Sequence, residues 1–434
     1  MIGSSIAVIG AGAGGLCTAR AFLRRNPDAS VAIFEAGSSV GGVWNYNYEQ
    51  SDTQPMYKDL RTNLPKQVMG FREYPFTLGG EDSYVSHKFV SQYLKDYAEQ
   101  FDLNRHVRFN EPVLSVRYGE GKRFLINDNV DEPFDHVCVA NGHYSAPIIP
   151  NLPNLTQFKG KIMHAIAYDD PSTFAGEGGV LIVGGRASGS DLAAQICKVV
   201  KKVYLSTNDP SSAKLADNTN IKMFSRCERV DDDGAHIVFE GGERLDSGSV
   251  STVIFATGYD YEFAFLSKSD FSNVKYSTKR CSPLYKQLFY TEDPKLSFVG
   301  LPWSVIPFPL MEGQADLIAA VACNETLLPP LEVRVREGLA DCNGGGFAET
   351  GRVQDTHFLG EVGQFEYLRD LNKIATGKEE VSSGYDDFLT VNSDLFRDSS
   401  SRRKNTIIGL ETYREDRYER LYGQEGVKDL WRRL

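Results

Sequence analysis

The chain has 434 residues, enough for two or three domains, and its 41% hydrophobic and 24% charged residues are a globular balance. A net charge of −11 argues against nucleic acid and anionic membrane surfaces as partners, and no apolar run approaches the ~20 residues of a membrane helix. Seven cysteines, scattered without a CxxC pair or metal-ligand spacing, give no sign of a metal site and point to a reducing, cytoplasmic compartment.

The apolar run Ile6 to Ile9 reads as a strand buried on both faces. It runs into Gly10-x-Gly12-x-x-Gly15, and Leu16, Ala19, Phe22 and Leu23 follow at helical spacing. Gly10 suits a tight turn, Gly12 the approach of a pyrophosphate, and Gly15 close packing of helix on strand. The helix would then offer unpaired N–H groups and a positive dipole end to phosphate. A second strand, Val31 to Phe34, ends in Glu35, placed to accept hydrogen bonds from an adenosine ribose.

Gly41-Gly42-Val43-Trp44 reads as a second loop against the same nucleotide, and Pro65 keeps Leu60 to Leu64 extended. Phe89, Val90, Tyr93, Leu94, Tyr97 and Phe101 predict a helix capped by Ser86. Three short runs, Val107 to Phe109, Val113 to Tyr118 and Arg123 to Ile126, predict an antiparallel excursion, and His136 to Ala140 a buried strand closing at Gly142.

After a proline-rich connector at 147–153 the pattern repeats. Val180 to Val183 runs into Gly184-Gly-Arg186-Ala-Ser188-Gly189-Ser190-Asp191, then a helix, then the strand Val203 to Leu205, and Val253 to Ala256 closes at Gly258. The duplication predicts an α/β fold of two Rossmann-like dinucleotide-binding domains, the second inserted into the first. The expected division is 1–168 and 291–434 for the FAD domain and 169–290 for the inserted NADP domain. Leu296 to Gly300 reads as a further buried strand, and Glu312 to Leu327 as a helix. Asp398 to Lys404 reads as an exposed loop and Glu411 to Arg433 as a solvated final helix.

The first site, with Glu35 and the Gly41-Gly42 loop, suits FAD. The second suits NADPH, because Ser206, Thr207 and Asn208 at its strand end carry no acid to repel a 2′-phosphate. Lys201, Lys202, Lys214 or Arg186 would then supply the positive charge. Asp191 reads either as a partner of backbone N–H groups in the loop or as an early helix acid favoured by the dipole. His164 reads as a hydrogen-bonding brace of the linker, and Trp303 and Phe308 as pocket lining or core.

Phe158-Lys-Gly160-Lys-Ile-Met-His164-Ala-Ile-Ala-Tyr168 resembles the FxGxxxHxxxY signature of flavin-containing monooxygenases. The likeness covers about residues 5 to 330, through both glycine loops, Gly41 to Trp44, Arg61-Thr62-Asn63 and Phe255 to Tyr259. It implies an NADPH- and O2-dependent enzyme in which FAD carries oxygen as a C4a-hydroperoxide to the soft nitrogen or sulfur of a small amine or thioether. It implies cofactor contacts by Gly10, Ala11, Gly12, Ala13, Gly14, Gly15, Glu35, Gly42, Val43, Trp44, Thr62, Asn63, Leu64 and Gln314 at FAD. At the nicotinamide nucleotide it implies Gly184, Arg186, Ser188, Gly189, Ser190, Asp191, Ser206 and Thr207. Asn63 is the implied catalytic residue, holding flavin and nicotinamide in register. The net charge and the lack of a long apolar run leave no nucleic-acid or membrane partner expected, and a homodimer is left open. Three departures stand out: Arg186 in place of the middle glycine, Asp169 where a basic residue usually follows Tyr168, and a charged C-terminal stretch in place of a membrane anchor. Ketone oxygenation of the Baeyer–Villiger type is one alternative, and a catalytically idle nucleotide-binding scaffold or redox sensor another.

Overall fold

The computed structural model describes residues 4–47, 54–210, 214–215, 219–277, 280–340, 356–408, 411–421 and 430–434, without the side chains of Lys214, Ser277, Ile407 and Leu430. Two mainly parallel sheets organise it. The first has seven strands, in the order Leu284–Tyr285, Phe289–Tyr290, Leu296–Phe298, His136–Val139, Ser5–Ile9, Ser30–Glu35 and Val107–Phe109. The second has five parallel strands, in the order Ile221–Phe224, Lys202–Ser206, Gly179–Val183, Thr252–Phe255 and Lys161–His164. The second sheet is formed by chain lying between His136–Val139 and Leu296–Phe298, which are paired neighbours in the first. The inserted topology expected from the duplication is therefore present.

Burial on both faces explains the apolar runs. Val8 and Ile33 pack with Leu16 and Phe22 on one face of the first sheet, while Ala7, Ile9, Phe34, Val137 and Val139 pack on the other. In the second sheet Val180, Ile182, Val203 and Leu205 face Leu192 and Ile196, and Leu181, Val183, Val253 and Phe255 face Phe224 and Phe239. The helix Pro307–Cys323 covers the first nucleotide helix, Ala13–Arg25. It begins earlier than Glu312 because Pro307 sits in the first turn, where a missing N–H leaves no helical bond unmade.

Several boundaries differ from the sequence reading. Strand Lys161–His164, expected in the first unit, pairs with Thr252–Phe255 of the second sheet. Strands Leu284–Tyr285 and Phe289–Tyr290, expected in the inserted unit, extend the first. These are short edge pieces, decided by pairing across the chain rather than by local pattern. Val107–Phe109 runs parallel to Ser30–Glu35, so only Val116–Tyr118 and Phe124–Ile126 form the antiparallel excursion. Residues 398–404 end a long helix, Ser383–Lys404, in which Ser399 and Ser400 are buried. Of the final helix expected over 411–433, residues 422–429 lie outside the described residues, and the rest forms a turn at Thr412–Glu415 and an antiparallel pair, Tyr418–Leu421 with Leu430–Arg433. Tyr418 and Arg420 turn inward there, a period of two that charge counting does not reveal.

Candidate functional site

The two glycine loops repeat each other atom by atom. A Cβ on Gly10 would lie 2.6 Å from the carbonyl oxygen of Ala140, and one on Gly184 would lie 2.4 Å from that of Ala256. A Cβ on Gly15 would strike the Gly10 oxygen at 1.8 Å, and one on Gly189 the Gly184 oxygen at 1.7 Å. Gly10 and Gly184 also have φ of 101° and 112°, a region side chains avoid. Each loop thus delivers a helix N-terminus, whose first amides lack intrahelical acceptors, to the carboxyl end of its sheet.

Around the first loop, Glu35 folds back: one carboxylate oxygen accepts from Ala11 N at 2.7 Å and the other from Gly37 N at 2.7 Å. Gly41 N donates to Ala11 O at 3.0 Å, which brings Gly42 against Gly12. A cavity of about 530 Å³ opens here, bounded by Glu35, Gly42 and Trp44 and by Lys88, Ser91, Gln92 and Lys95. The last four were missed in the sequence. They form the polar stripe of helix His87–Gln100 at i, i+3, i+4 and i+7, the only signal that could have found them. Asn45 binds this wall together, donating to Val40 O at 2.8 Å and accepting from Ser91 Oγ at 2.9 Å. The carboxylate of Glu35, the helix amides and two lysines fit the adenosine and diphosphate of FAD.

Ala11, Ala13, Gly14 and Gly15 are buried beneath this loop, and Val43 and Trp44 are half-buried in its cover. Trp44 meets Phe308 edge-on, 6.4 Å between ring centres, while Phe308 stacks on Phe71 and Tyr93 in the core. Gln314 is fully buried and already employed: its Oε1 accepts from Gly300 N at 2.8 Å and its Nε2 donates to the Tyr367 hydroxyl at 2.9 Å. It braces the turn after strand Leu296–Phe298.

At the second loop Arg186 and Ser188 are exposed, Gly189 is buried, and Ser190 Oγ donates to Gly185 O at 2.9 Å. Thr207, half-buried, lies against Gly185 at the strand end. Ser206 does not reach this mouth: it is buried, donates to Ser225 O at 2.8 Å and accepts from Cys227 N at 2.9 Å. Lys201 precedes strand Lys202–Ser206 and Lys202 begins it, at the end opposite the glycine loop, roughly 13 Å of extended chain away. The Lys214 side chain lies outside the described residues. Arg186 remains as the expected cation that stands in the loop.

Asp191 turns away from the loop amides. Arg414 Nη1 donates to it at 2.9 Å, and the Tyr57 hydroxyl donates to its other oxygen. Arg414 also pairs with Glu411, whose carboxyl is raised by burial and by the nearby Asp191 charge. Through this cluster the second nucleotide helix, Ala187–Ile196, holds the strip that leads to Asn63. Arg61 Nη2 donates to Tyr84 O at 3.0 Å and to Arg414 O at 3.3 Å, and Thr62 exchanges hydrogen bonds with the Val85 backbone at 2.8 and 3.1 Å. Thr62 and Leu64 are buried, and Asn63 between them is exposed. The Asn63 carbonyl accepts from Arg403 at 3.3 Å, which leaves its side-chain amide for other partners.

The signature residues brace the edge of the second sheet. A Cβ on Gly160 would lie 2.4 Å from Ser251 O and 2.5 Å from the Phe158 ring, so the edge strand packs there only without a side chain. His164 Nδ1 accepts from Ile166 N at 3.1 Å, so Nε2 carries the proton and donates to Gly258 O at 3.1 Å. Burial lowers its pKa, which keeps this neutral form. Tyr168 is buried and donates to Gln195 Oε1 at 2.9 Å. Among the described residues no helix is long and apolar enough to cross a membrane, and no group of three His, Cys, Asp or Glu could hold a metal ion.

Comparison with known proteins agrees with this geometry. The flavin-binding monooxygenase-like family model matches residues 3–213. The flavin-containing monooxygenase FMO GS-OX5 of Arabidopsis thaliana is 35% identical over 433 residues, 91% of each chain. FMO GS-OX-like 4 of the same plant is 33% identical over 399 residues, 83% of this chain and 85% of that relative. Among solved structures, S-allyl-L-cysteine S-oxygenase from Allium sativum superposes with a TM-score of 0.82 at 31% identity, covering 95% of both chains. Tmm from Pelagibacter superposes at 0.79 with 24% identity over 98% of this chain and 96% of that one, a likeness of fold. With its two nucleotide loops, its Phe158-to-Tyr168 signature and its relatives, the chain belongs to the flavin-containing monooxygenases, enzymes that use FAD and NADPH.

Proposed function

We propose that this chain oxygenates the sulfur of a small thioether, with FAD at the first loop and the nicotinamide nucleotide at the second. The overall change is thioether + NADPH + H⁺ + O2 → sulfoxide + NADP⁺ + water. Bound FAD, reduced by NADPH, supplies the electrophilic oxygen from O2. The protein's part is to bind, orient and exclude water.

Glu35, through its remaining lone pairs, would take the ribose hydroxyls, and the amides at Gly12 to Gly14 the diphosphate. Lys88 and Lys95 lie close enough in the cavity wall to add positive charge. Ser188 and Arg186 would meet the second nucleotide. The observation that carries the reading is the placement of Asn63. It is the exposed residue of a clamped strip that is tied to the second nucleotide helix through Tyr57, Asp191 and Arg414. A short amide there can donate and accept at once, as a bridge between two cofactors requires. Sulfur is favoured over nitrogen by the extent of the likeness to the Allium S-oxygenase. The scattered free thiols support a reducing, cytoplasmic setting.

A screen of NADPH consumption and product over thioethers, amines and ketones tests this. Thioethers should give the highest kcat/KM with sulfoxide as product. A higher kcat/KM with amines or ketones would overturn the sulfur assignment.

A further inference from the structure

The two glycine loops part at their middle position. Gly12 and Arg186 open their helices with nearly the same backbone, φ −75°, ψ −172° and φ −78°, ψ −168°, which any residue adopts. Position 12 faces the crossing loop, where a Cβ would sit in ordinary contact with Gly42 Cα at 3.6 Å. At the second loop the Arg186 side chain is exposed and reaches the first unit. Its guanidinium carbon lies 5.1 Å from the ring centre of Trp303.

Trp303 is held where it is. Its backbone N–H donates to His357 O at 2.9 Å, its carbonyl accepts from Leu359 N at 3.4 Å, and its ring packs on Phe358 at 4.7 Å between centres. Arg186 has no carboxylate within ion-pair distance among the described residues. A planar cation thus stands at a helix N-terminus built for phosphate, with its guanidinium over an indole of the other unit. A guanidinium can stack through its face while its N–H edge binds an oxyanion, which an ammonium cannot do.

We propose that Arg186 is a latch. Its N–H edge takes the diphosphate of the nicotinamide nucleotide while its face stays on Trp303, so that the nucleotide is gripped by a cation held in place by the FAD unit. This rests on the second loop being the nicotinamide site. The latch makes the grip on the nucleotide depend on Trp303, a residue that phosphate binding alone would not involve.

Titration calorimetry of the FAD-loaded enzyme with NADP⁺ and with NAD⁺ tests it, with flavin content and melting temperature confirming that each variant is intact. Trp303→Leu should weaken both nucleotides alike, by roughly 3- to 30-fold, the range of a cation–π contact. Trp303→Phe should restore most of the loss. Arg186→Ala should weaken both at least as much, and adding Trp303→Leu to it should cost little more. Wild-type affinity in Trp303→Leu, or full additivity of the two changes, would overturn the latch. Loss of NADP⁺ alone in Arg186→Ala would overturn it too, by placing the guanidinium on the 2′-phosphate. A wild-type enzyme that binds neither nucleotide would overturn the reading of the second loop itself, and the latch with it.

Discussion

Asn63 shows what a single exposed amide can be asked to do. Its neighbours are buried and its backbone is clamped, so replacing the side chain should leave the loop in place. Asn63→Ala should fold, retain FAD and accept electrons from NADPH. Product formation should fall roughly tenfold or more, the worth of one hydrogen bond of about 1.5 kcal/mol at the reacting centre. The lost turnover should appear as hydrogen peroxide. Unchanged coupling of NADPH to product in the variant would remove Asn63 from the catalytic role. At this scale the sequence was readable where backbone geometry demands one residue type, as at Gly10, Gly15, Gly184 and Gly189. It misled where a polar side chain has two directions open to it. Ser206 turns into the sheet edge toward Ser225, and Asp191 turns to Arg414 rather than to the loop amides. Both choices depend on partners that are distant in sequence.

Two elements carry buried charge. Glu312, in helix Pro307–Cys323, is buried and its carboxyl is pushed up to about 7, chiefly by desolvation and against the pull of the Arg72 N–H at 2.8 Å. An acid whose folded value lies above its unfolded 4.5 holds its proton longer in the native state, so stability declines as pH rises from about 4.5 to about 7. Glu312→Gln should therefore raise the melting temperature at about pH 8, by up to about 3 kcal/mol in stability, and change little at about pH 4.5. An equal gain at both values would contradict the assignment. The turn Thr412–Glu415 places Arg414 between Asp191 and Glu411, with only 10% of its side chain exposed. Arg414→Gln should cost about 3 kcal/mol, because it strands the buried Asp191 carboxylate beside the half-buried Glu411. Adding Asp191→Asn should recover part of that loss in chemical denaturation, and simple additivity would show the pair to be uncoupled. This strap was not legible in advance. The charged run 411–433 has helical composition, and only their mutual pairing makes Tyr418–Leu421 and Leu430–Arg433 extended.

At the scale of the molecule, duplication was the most readable feature. Two copies of strand, glycine loop, helix and closing strand predicted two sheets and an insertion, because the parallel β–α–β unit repeats the same steric demands wherever it occurs. The exact joints were not readable, since Lys161–His164 and the short strands 284–290 acquire their sheet only from distant neighbours. The chemistry follows from what joins the copies. Tyr57 with Asp191, Arg414 with Asp191, and Arg186 with Trp303 all link the inserted unit to the unit that carries Asn63. The fold brings a nicotinamide-nucleotide loop and a flavin loop into one linked structure and leaves the oxygen chemistry to the flavin. The most direct measurement is turnover of a thioether with NADPH under isotopically labelled O2, followed by mass spectrometry of the product. One labelled oxygen atom should enter each sulfoxide for each NADPH consumed. Sulfoxide oxygen drawn from water, or NADPH consumption that yields only peroxide with every thioether tried, would contradict S-oxygenation by this enzyme.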